Sequence, residues 1–298
     1  MNSLTARAAA WEAGGSYETV NGHRIFVRRS ATNGPLVVLL HGYPTSSYDW
    51  REVLPALEAT GASVLTLDFL GFGLSDKPAD NRYSLKDQAD IVEHLINGRP
   101  SLLIAHDMGD SVGTELMARD IEGTLTFALN GVLLSNGSVI IEKATLTLVQ
   151  KLLLGRLGPL IARLISEKAF KKQLAGVFSP AHPLTAEEGA DQWSLLANNG
   201  GNKIINRLSS FNRERVVLAR RWEGALEDWR GRLGIGWGEM DSVSGKPVLD
   251  AIIGLAPSAE VTRWSDLGHY PHIEDPAAVG GLAARFVDGQ SGSEPRND

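Results

Sequence analysis

The sequence predicts a doubly wound, mostly parallel α/β sheet with a helical cap inserted after its sixth strand. Three observations carry this. Short apolar runs such as Leu36–Leu40 have the continuous character of strands covered on both faces. Helical patterns follow them at the spacing of β/α units. From residue 138 to 230 the strands stop, and beyond 230 the alternation resumes. The division is therefore a main domain of residues 1–137 and 231–288, a helical cap of 138–230, and a polar tail, 289–298, expected to be disordered.

In chain order, β-type stretches near 17–20 and 24–28 precede the buried strand 36–40. A helix is expected over 49–59, a strand over 63–68, and a helix over 85–96 with Ser84 as its cap. The strand 102–105, a helix from about 109 to 119 and the strand 131–134 follow. After the cap come a strand at 233–237, a helix at 248–255, a strand at 260–264 and a last helix at 277–287. In such a sheet ligands sit at the carboxyl ends of the strands, so the chemistry belongs to the turns that follow them.

With 298 residues, 43% of them hydrophobic, the chain can bury a large core with a pocket in it. A net charge of −6 offers no basic stripe, so no nucleic-acid partner is expected. The lack of cysteine removes disulfides, thiolate metal sites and a Cys nucleophile, and fits a reducing cytoplasm. The N-terminus lacks the apolar core of a secretory signal, and polar residues interrupt the uncharged run 124–141, which reads as a strand with its loops. A cytoplasmic chain follows. The amphipathic stretch 146–174, with Arg156, Arg163, Lys168, Lys171 and Lys172, reads as a helix pair packed on the main domain. Its alternative, a basic face on a membrane surface, is disfavoured.

The segment Ser-Leu-Leu-Ile-Ala-His-Asp-Met-Gly-Asp-Ser-Val-Gly holds two candidate nucleophiles. Ser111 lies in a Gly-x-Ser-x-Gly pattern, and Asp107 lies in Ala-His-Asp-Met-Gly; both have small residues two places to either side. The apolar strand stops at Ala105. A turn at Ser111 would carry His106 and Asp107 into the end of a central strand, where an unpaired charge is costly. Asp107 is therefore the expected nucleophile. After the next-to-last strand Asp241 is the expected orienting acid, with Glu239 the weaker choice, and after the last strand His269 is the expected base. His272, three residues on, reads as a packing or capping residue. The order nucleophile, acid, histidine is that of α/β-hydrolases. The turn His41-Gly42-Tyr43-Pro44 then supplies one oxyanion donor, the Tyr43 amide, beside that of Met108.

The segments HGYPTSSYDW, LDFLGFGLSDKP, AHDMGDSVGTEL, LSNG, NNGGNKIINRL, RRWEGAL and GHYPHIEDP together resemble the mesoderm-specific-transcript-like branch of the α/β-hydrolases, akin to haloalkane dehalogenases and epoxide hydrolases. The resemblance runs from about residue 22 to 287. It implies a covalent alkyl ester on Asp107, hydrolysed by a water that His269 activates, on a small apolar electrophile and with no cofactor or metal. Haloalkane dehalogenases normally place a Trp after the nucleophile and often an Asn in the His-Gly turn; here those places are Met108 and Tyr43, so an epoxide is favoured over a halide. Epoxide hydrolases of this fold usually protonate the opening ring from cap tyrosines, and this cap has none. Tyr43, Trp193, Trp222, Asn198 or Asn199 are the candidate substitutes, with His41, Asn136 and Tyr270 as further pocket candidates. Asn136 occupies the place after the sixth strand where some dehalogenases keep their acid, and an amide there supports Asp241. A Ser111 esterase and a small-molecule-binding protein without turnover are the competing functions. Substrate identity and oligomeric state are not expected from sequence.

Overall fold

The computed structural model describes residues 3–289. Residues 290–298 of the tail expected to be disordered lie outside that range. Eight strands form one sheet in the order β1-β2-β4-β3-β5-β6-β7-β8. They are β1 (Ser16–Val20), β2 (His23–Arg29), β3 (Leu36–Leu40), β4 (Ser63–Leu67), β5 (Ser101–His106), β6 (Leu129–Ser135), β7 (Leu233–Gly238) and β8 (Glu260–Trp264). The first two run antiparallel to their neighbours, and all other pairings are parallel.

Strand residues divide between two cores by the two-residue period of the pleat. Val38 and Leu40 of β3, with Leu103 and Ala105 of β5, face one hydrophobic cluster; Val37, Leu39 and Ile104 face the other. The helices outside the cap are α1 (Ala6–Ala13), α2 (Leu54–Ala59), α3 (Leu85–Ile96) and α4 (Met108–Ile121). Between β6 and β7 lie only helices: α5 (Leu148–Leu154), α6 (Gly158–Leu164), α7 (Glu167–Ala175), α8 (Ala186–Ala197), α9 (Ile205–Leu208) and α10 (Phe211–Asp228), with short 3₁₀ turns. The chain closes with α11 (Lys246–Leu255), α12 (Pro271–Glu274) and α13 (Pro276–Val287). The first cluster lies under α3, α4 and α11 and continues into α10; the second lies under α1, α2 and α13.

Three elements differ from the sequence reading. The stretch 146–174, expected as a helix pair, forms three short helices, α5, α6 and α7, broken at Gly155 and Ser166. The helix expected over 49–59 is a 3₁₀ turn at Ser47–Trp50 followed by a helix that starts only at Leu54. Pro55 sits in the first turn of α2, where its missing N–H costs nothing, and its ring would clash with a helix continuing through it. Helix α1 was not expected; Thr5 caps it by accepting from the Ala8 amide, and alanine carries it. Ser84 caps α3 as expected, accepting from the Lys86 amide. No helix of the described residues is long and apolar enough to cross a membrane.

Candidate active site

Strand β5 runs one residue past Ala105, to His106, and the next residue turns the chain into α4. Asp107 makes that turn at φ 48°, ψ −104°, a region that a residue with a Cβ occupies only under strain. Neighbouring backbone crowds the turn. A Cβ on Gly109 would lie 2.5 Å from the Leu40 carbonyl oxygen, and one on Gly42 would lie 2.8 Å from Cβ of Asp107. This is the steric reason for small residues around the elbow. Ser111 is one turn into α4, fully buried, and its hydroxyl accepts from Arg215 Nε at 2.9 Å.

The two carboxylate oxygens of Asp107 have different partners. Oδ2 accepts from the Tyr43 amide at 3.0 Å. Of the two amides expected to converge on one oxygen, Tyr43's is the one bonded to Asp107; Met108 begins α4 beside it. Oδ1 accepts from Arg215 at 3.2 Å, and the same guanidinium nitrogen donates to the Asp107 carbonyl at 2.9 Å. Arg215 belongs to the cap helix α10 and is 1% exposed. Burial by itself would raise the Asp107 carboxyl, but Arg215 first, then His269 and His106, hold it below the usual carboxylate range. The reading from sequence missed Arg215. A signal existed, since Phe211, Arg215, Leu218, Trp222 and Leu226 share one helical face, and an arginine inside an apolar stripe calls for a buried anion.

His269 and Asp241 meet from separate loops, with Nδ1 and Oδ2 2.8 Å apart. Burial opposes a charge on the imidazole, but Asp241 outweighs it, and the His269 pKa is raised. Asp241 is itself held: Oδ2 accepts from Asn136 Nδ2 at 2.9 Å and Oδ1 from the Val243 amide at 2.7 Å. Asn136 also bonds both backbone groups of Gly238. Glu239, the weaker sequence choice, pairs with Arg263 on the surface. Behind the pair, His106 Nε2 donates to the His269 carbonyl at 2.7 Å. Burial, then the neighbouring His272 and His269, push the His106 pKa well down, so this imidazole stays neutral and serves as a brace.

His272 is fully buried and stacks on Trp50 with ring centroids 4.3 Å apart. Its nearest acid, Asp49, is 3.9 Å away. Asp49 turns its oxygens to Thr45 and Gln192 instead. Burial lowers His272 to about 3 and raises Asp49 to about 6. Gln192, Glu188 and Asp191 lie on α8, where Arg51 bonds Glu188 and the Tyr48 hydroxyl bonds Asp191, so this polar layer ties the cap to the main domain. Among the described residues no three ligand side chains converge as a metal site would require.

A mostly apolar cavity opens between the sheet and the cap. Tyr43, His269 and Tyr270 wall its floor, and Phe170, Leu174, Val177 and Ile205 its sides. Tyr270 also donates its hydroxyl to the Tyr43 carbonyl at 3.0 Å. The other pocket candidates do not wall this cavity. His41 is buried in the interior, Nδ1 on the Gly42 carbonyl and Nε2 accepting from the Phe69 amide, and so braces the His-Gly turn. Asn136 is spent on Asp241. Trp222 donates to Glu115 at 3.0 Å within the contact of α4 and α10. Trp193 packs on Phe170 with ring centroids 5.7 Å apart. Asn198 reaches toward the Gly73 carbonyl, and Asn199, at positive φ, is exposed. Helical periodicity says which residues share a face; the direction each face takes is set by packing.

Comparison with known proteins agrees with this arrangement. A model described as an alpha/beta hydrolase family matches residues 37–281. LipZ of Mycobacterium tuberculosis, a protein named as a hydrolase, is 48% identical over 281 residues, which cover 93% of this chain and 96% of LipZ. The mouse mesoderm-specific transcript protein is 38% identical over 288 residues, 92% of this chain and 85% of that protein. Among solved structures, haloalkane dehalogenase DbeA of Bradyrhizobium elkani has a TM-score of 0.75 over 92% of this chain and 97% of its own; at 22% identity that is a likeness of fold. The strand order, the strained elbow between β5 and α4, and these relatives together make the chain a member of the α/β-hydrolase family, in the company of the mesoderm-specific transcript proteins.

Proposed function

We propose that the enzyme hydrolyses a small electrophile through a covalent ester on Asp107, and that an epoxide is the substrate class. The observation that carries this reading is the unequal treatment of the two Asp107 oxygens. Oδ2 rests on the Tyr43 amide, where an oxyanion is stabilised, and Oδ1 lies against a guanidinium.

In the first step an Asp107 oxygen attacks the substrate carbon, and the bond from that carbon to the ring oxygen breaks. The electron pair goes to the leaving oxygen. Arg215, bonded to Oδ1, keeps the attacking carboxylate ionised, and water supplies the proton to the leaving oxygen and is left as hydroxide, since a guanidinium does not give one up near neutral pH. In the second step His269 takes a proton from water, which attacks the carboxyl carbon of the ester. Negative charge collects on the oxygen held by Tyr43, the tetrahedral species collapses, and the protonated His269 returns its proton to the departing alkoxide. The product is a diol, and the Asp107 carboxyl gives its proton to the hydroxide left from the first step and returns to a carboxylate. Asp241 holds the imidazole orientation and stabilises its charged form.

Support for an oxygen leaving group over a halide is of two kinds. Met108 and Tyr43 stand where a halide-holding pair would be, and Trp222, in the cap, already spends its N–H on Glu115. The reading of Ser111 as nucleophile is weakened because its hydroxyl lies buried beneath Arg215. The test is mass spectrometry of His269→Gln incubated with epoxides, haloalkanes and activated esters. An adduct confined to the peptide that carries Asp107, formed with epoxides, is the expected result. An adduct on Ser111, or none with any electrophile, overturns the proposal.

A further inference from the structure

We infer that the outer face of the cap, formed by α5 and α6, docks on an anionic lipid membrane. Leu148 and Leu152 on α5 are 71% and 46% exposed, and Leu157, Leu160 and Leu164, on α6 and the turn before it, are 65%, 55% and 73% exposed. These are five of the eleven large apolar side chains exposed among the described residues. Single exposed leucines are ordinary, but here the intervals of three and four residues line them up on one side of each helix. Their opposite sides are occupied: Leu153 and Ala162 are buried in the core, and Gln150 walls the cavity.

Charge decides which partner fits this face. Residues 142–175 hold seven basic residues against two acidic ones, in a chain whose net charge is −6. Lys151, Arg156, Arg163, Lys168 and Lys172 are exposed around the leucines. Beside the turn from α5 to α6 an open groove is lined by Arg82, Arg156, Arg207 and Arg213, with Asp80 as its acid. Leucines ringed by cations match a lipid surface with negative headgroups, where the apolar side chains enter the acyl boundary and the cations stay at headgroup depth. The docked face is the roof of the cavity, since Thr147 and Gln150 of this segment line it from within. This takes up the alternative that the sequence disfavours, a basic face on a membrane surface. The reason is that composition reveals the basic segment, whereas exposure of its leucines depends on how the helices pack. The inference does not depend on the chemistry at Asp107.

The test is flotation of the full chain with vesicles of phosphatidylcholine, with and without phosphatidylglycerol. Binding is expected to the phosphatidylglycerol vesicles and to weaken as salt rises. In Leu157→Gln/Leu160→Gln/Leu164→Gln, and separately in Lys151→Glu/Arg163→Glu, partitioning should fall by about tenfold or more while thermal melting is unchanged. No flotation with phosphatidylglycerol, or flotation of either variant equal to that of the unaltered chain, overturns the inference. So does a dimer in size-exclusion chromatography that the leucine variant abolishes, which would assign the face to a second copy of the chain.

Discussion

His269, on a loop, and His272, in the short helix α12 that follows it, are three residues apart, both buried and both beside an aspartate, yet their electrostatics are opposite. Asp241 touches His269 at 2.8 Å and raises its pKa. Asp49 stands 3.9 Å from His272 and has spent its oxygens elsewhere; burial then dominates, and His272 falls to about 3 while Asp49 rises to about 6. The first pair favours a charged imidazole; in the second the imidazole stays uncharged above about pH 3 while Asp49, ionising at about 6, ties the cap to the main domain through Gln192. A shared hydrogen bond at full burial is what separates them, because at low local dielectric an ion is retained only where a partner meets it directly.

The contrast is sharpest in turnover. His269→Gln is expected to cut hydrolysis by about 10³-fold or more, and Asp241→Asn by about 10²- to 10⁴-fold through loss of imidazole orientation, both measured as kcat. His269 must be neutral to act as base, so activity should rise with pH along a limb above the ordinary histidine value, and Asp241→Asn should move that limb to lower pH. If Asp49→Asn proves as damaging as Asp241→Asn, the division of labour between the two pairs is wrong.

Arg215→Met should lower kcat/KM by about 10²-fold, with partial recovery in Arg215→Lys, because the fixed charge that holds the Asp107 carboxylate is removed or restored. It should also raise the pH at which Asp107 protonates, which shows as a shift of the acid limb of ester formation measured in single turnovers. An Arg215→Met enzyme with wild-type ester formation would reduce Arg215 to packing.

The Asp49 and His272 pair is read in stability. Asp49 keeps its proton in the folded chain up to about 6, against 3.8 as its ordinary value, so it makes stability fall as pH rises between those values. His272 stays unprotonated down to about 3, against 6.5, so it makes stability fall as pH drops through that window. The two slopes oppose each other between about pH 4 and 6. Asp49→Asn should therefore unmask a rise of about 1.4 kcal/mol per pH unit across that window, followed by thermal unfolding, with turnover within about threefold of wild type. A flat profile in Asp49→Asn would mean that His272 is protonated in the folded chain. The smallest effect belongs to Glu239→Gln, whose surface pair with Arg263 is worth about 0–1 kcal/mol, and turnover should stay within about twofold.

Much of the molecule was legible before any coordinates. Strands β3 and β8 and helix α3 coincide with their sequence ranges, because a continuous apolar run, a short β-branched stretch and a capped amphipathic pattern are local signals. The elbow was legible too: the place where an apolar strand meets a carboxylate between small residues has little freedom. The remaining pocket was not. Trp222 and Asn136 look like pocket residues by type and position, and packing turns them to Glu115 and Asp241. Arg215 was overlooked among the many basic residues of the cap, although its stripe of apolar neighbours marked it.

The succession of strands and helices, the identity of the elbow and the order of Asp107, Asp241 and His269 follow from the chain alone, since each depends on short-range periodicity and on which residue types tolerate a tight turn. Which oxygen of Asp107 meets an amide and which a guanidinium, which of two histidines holds charge, and which leucines of the cap face outward were decided by the tertiary structure. Those properties depend on distances between segments tens to hundreds of residues apart, and on the loss of water where they meet, neither of which a one-dimensional pattern records.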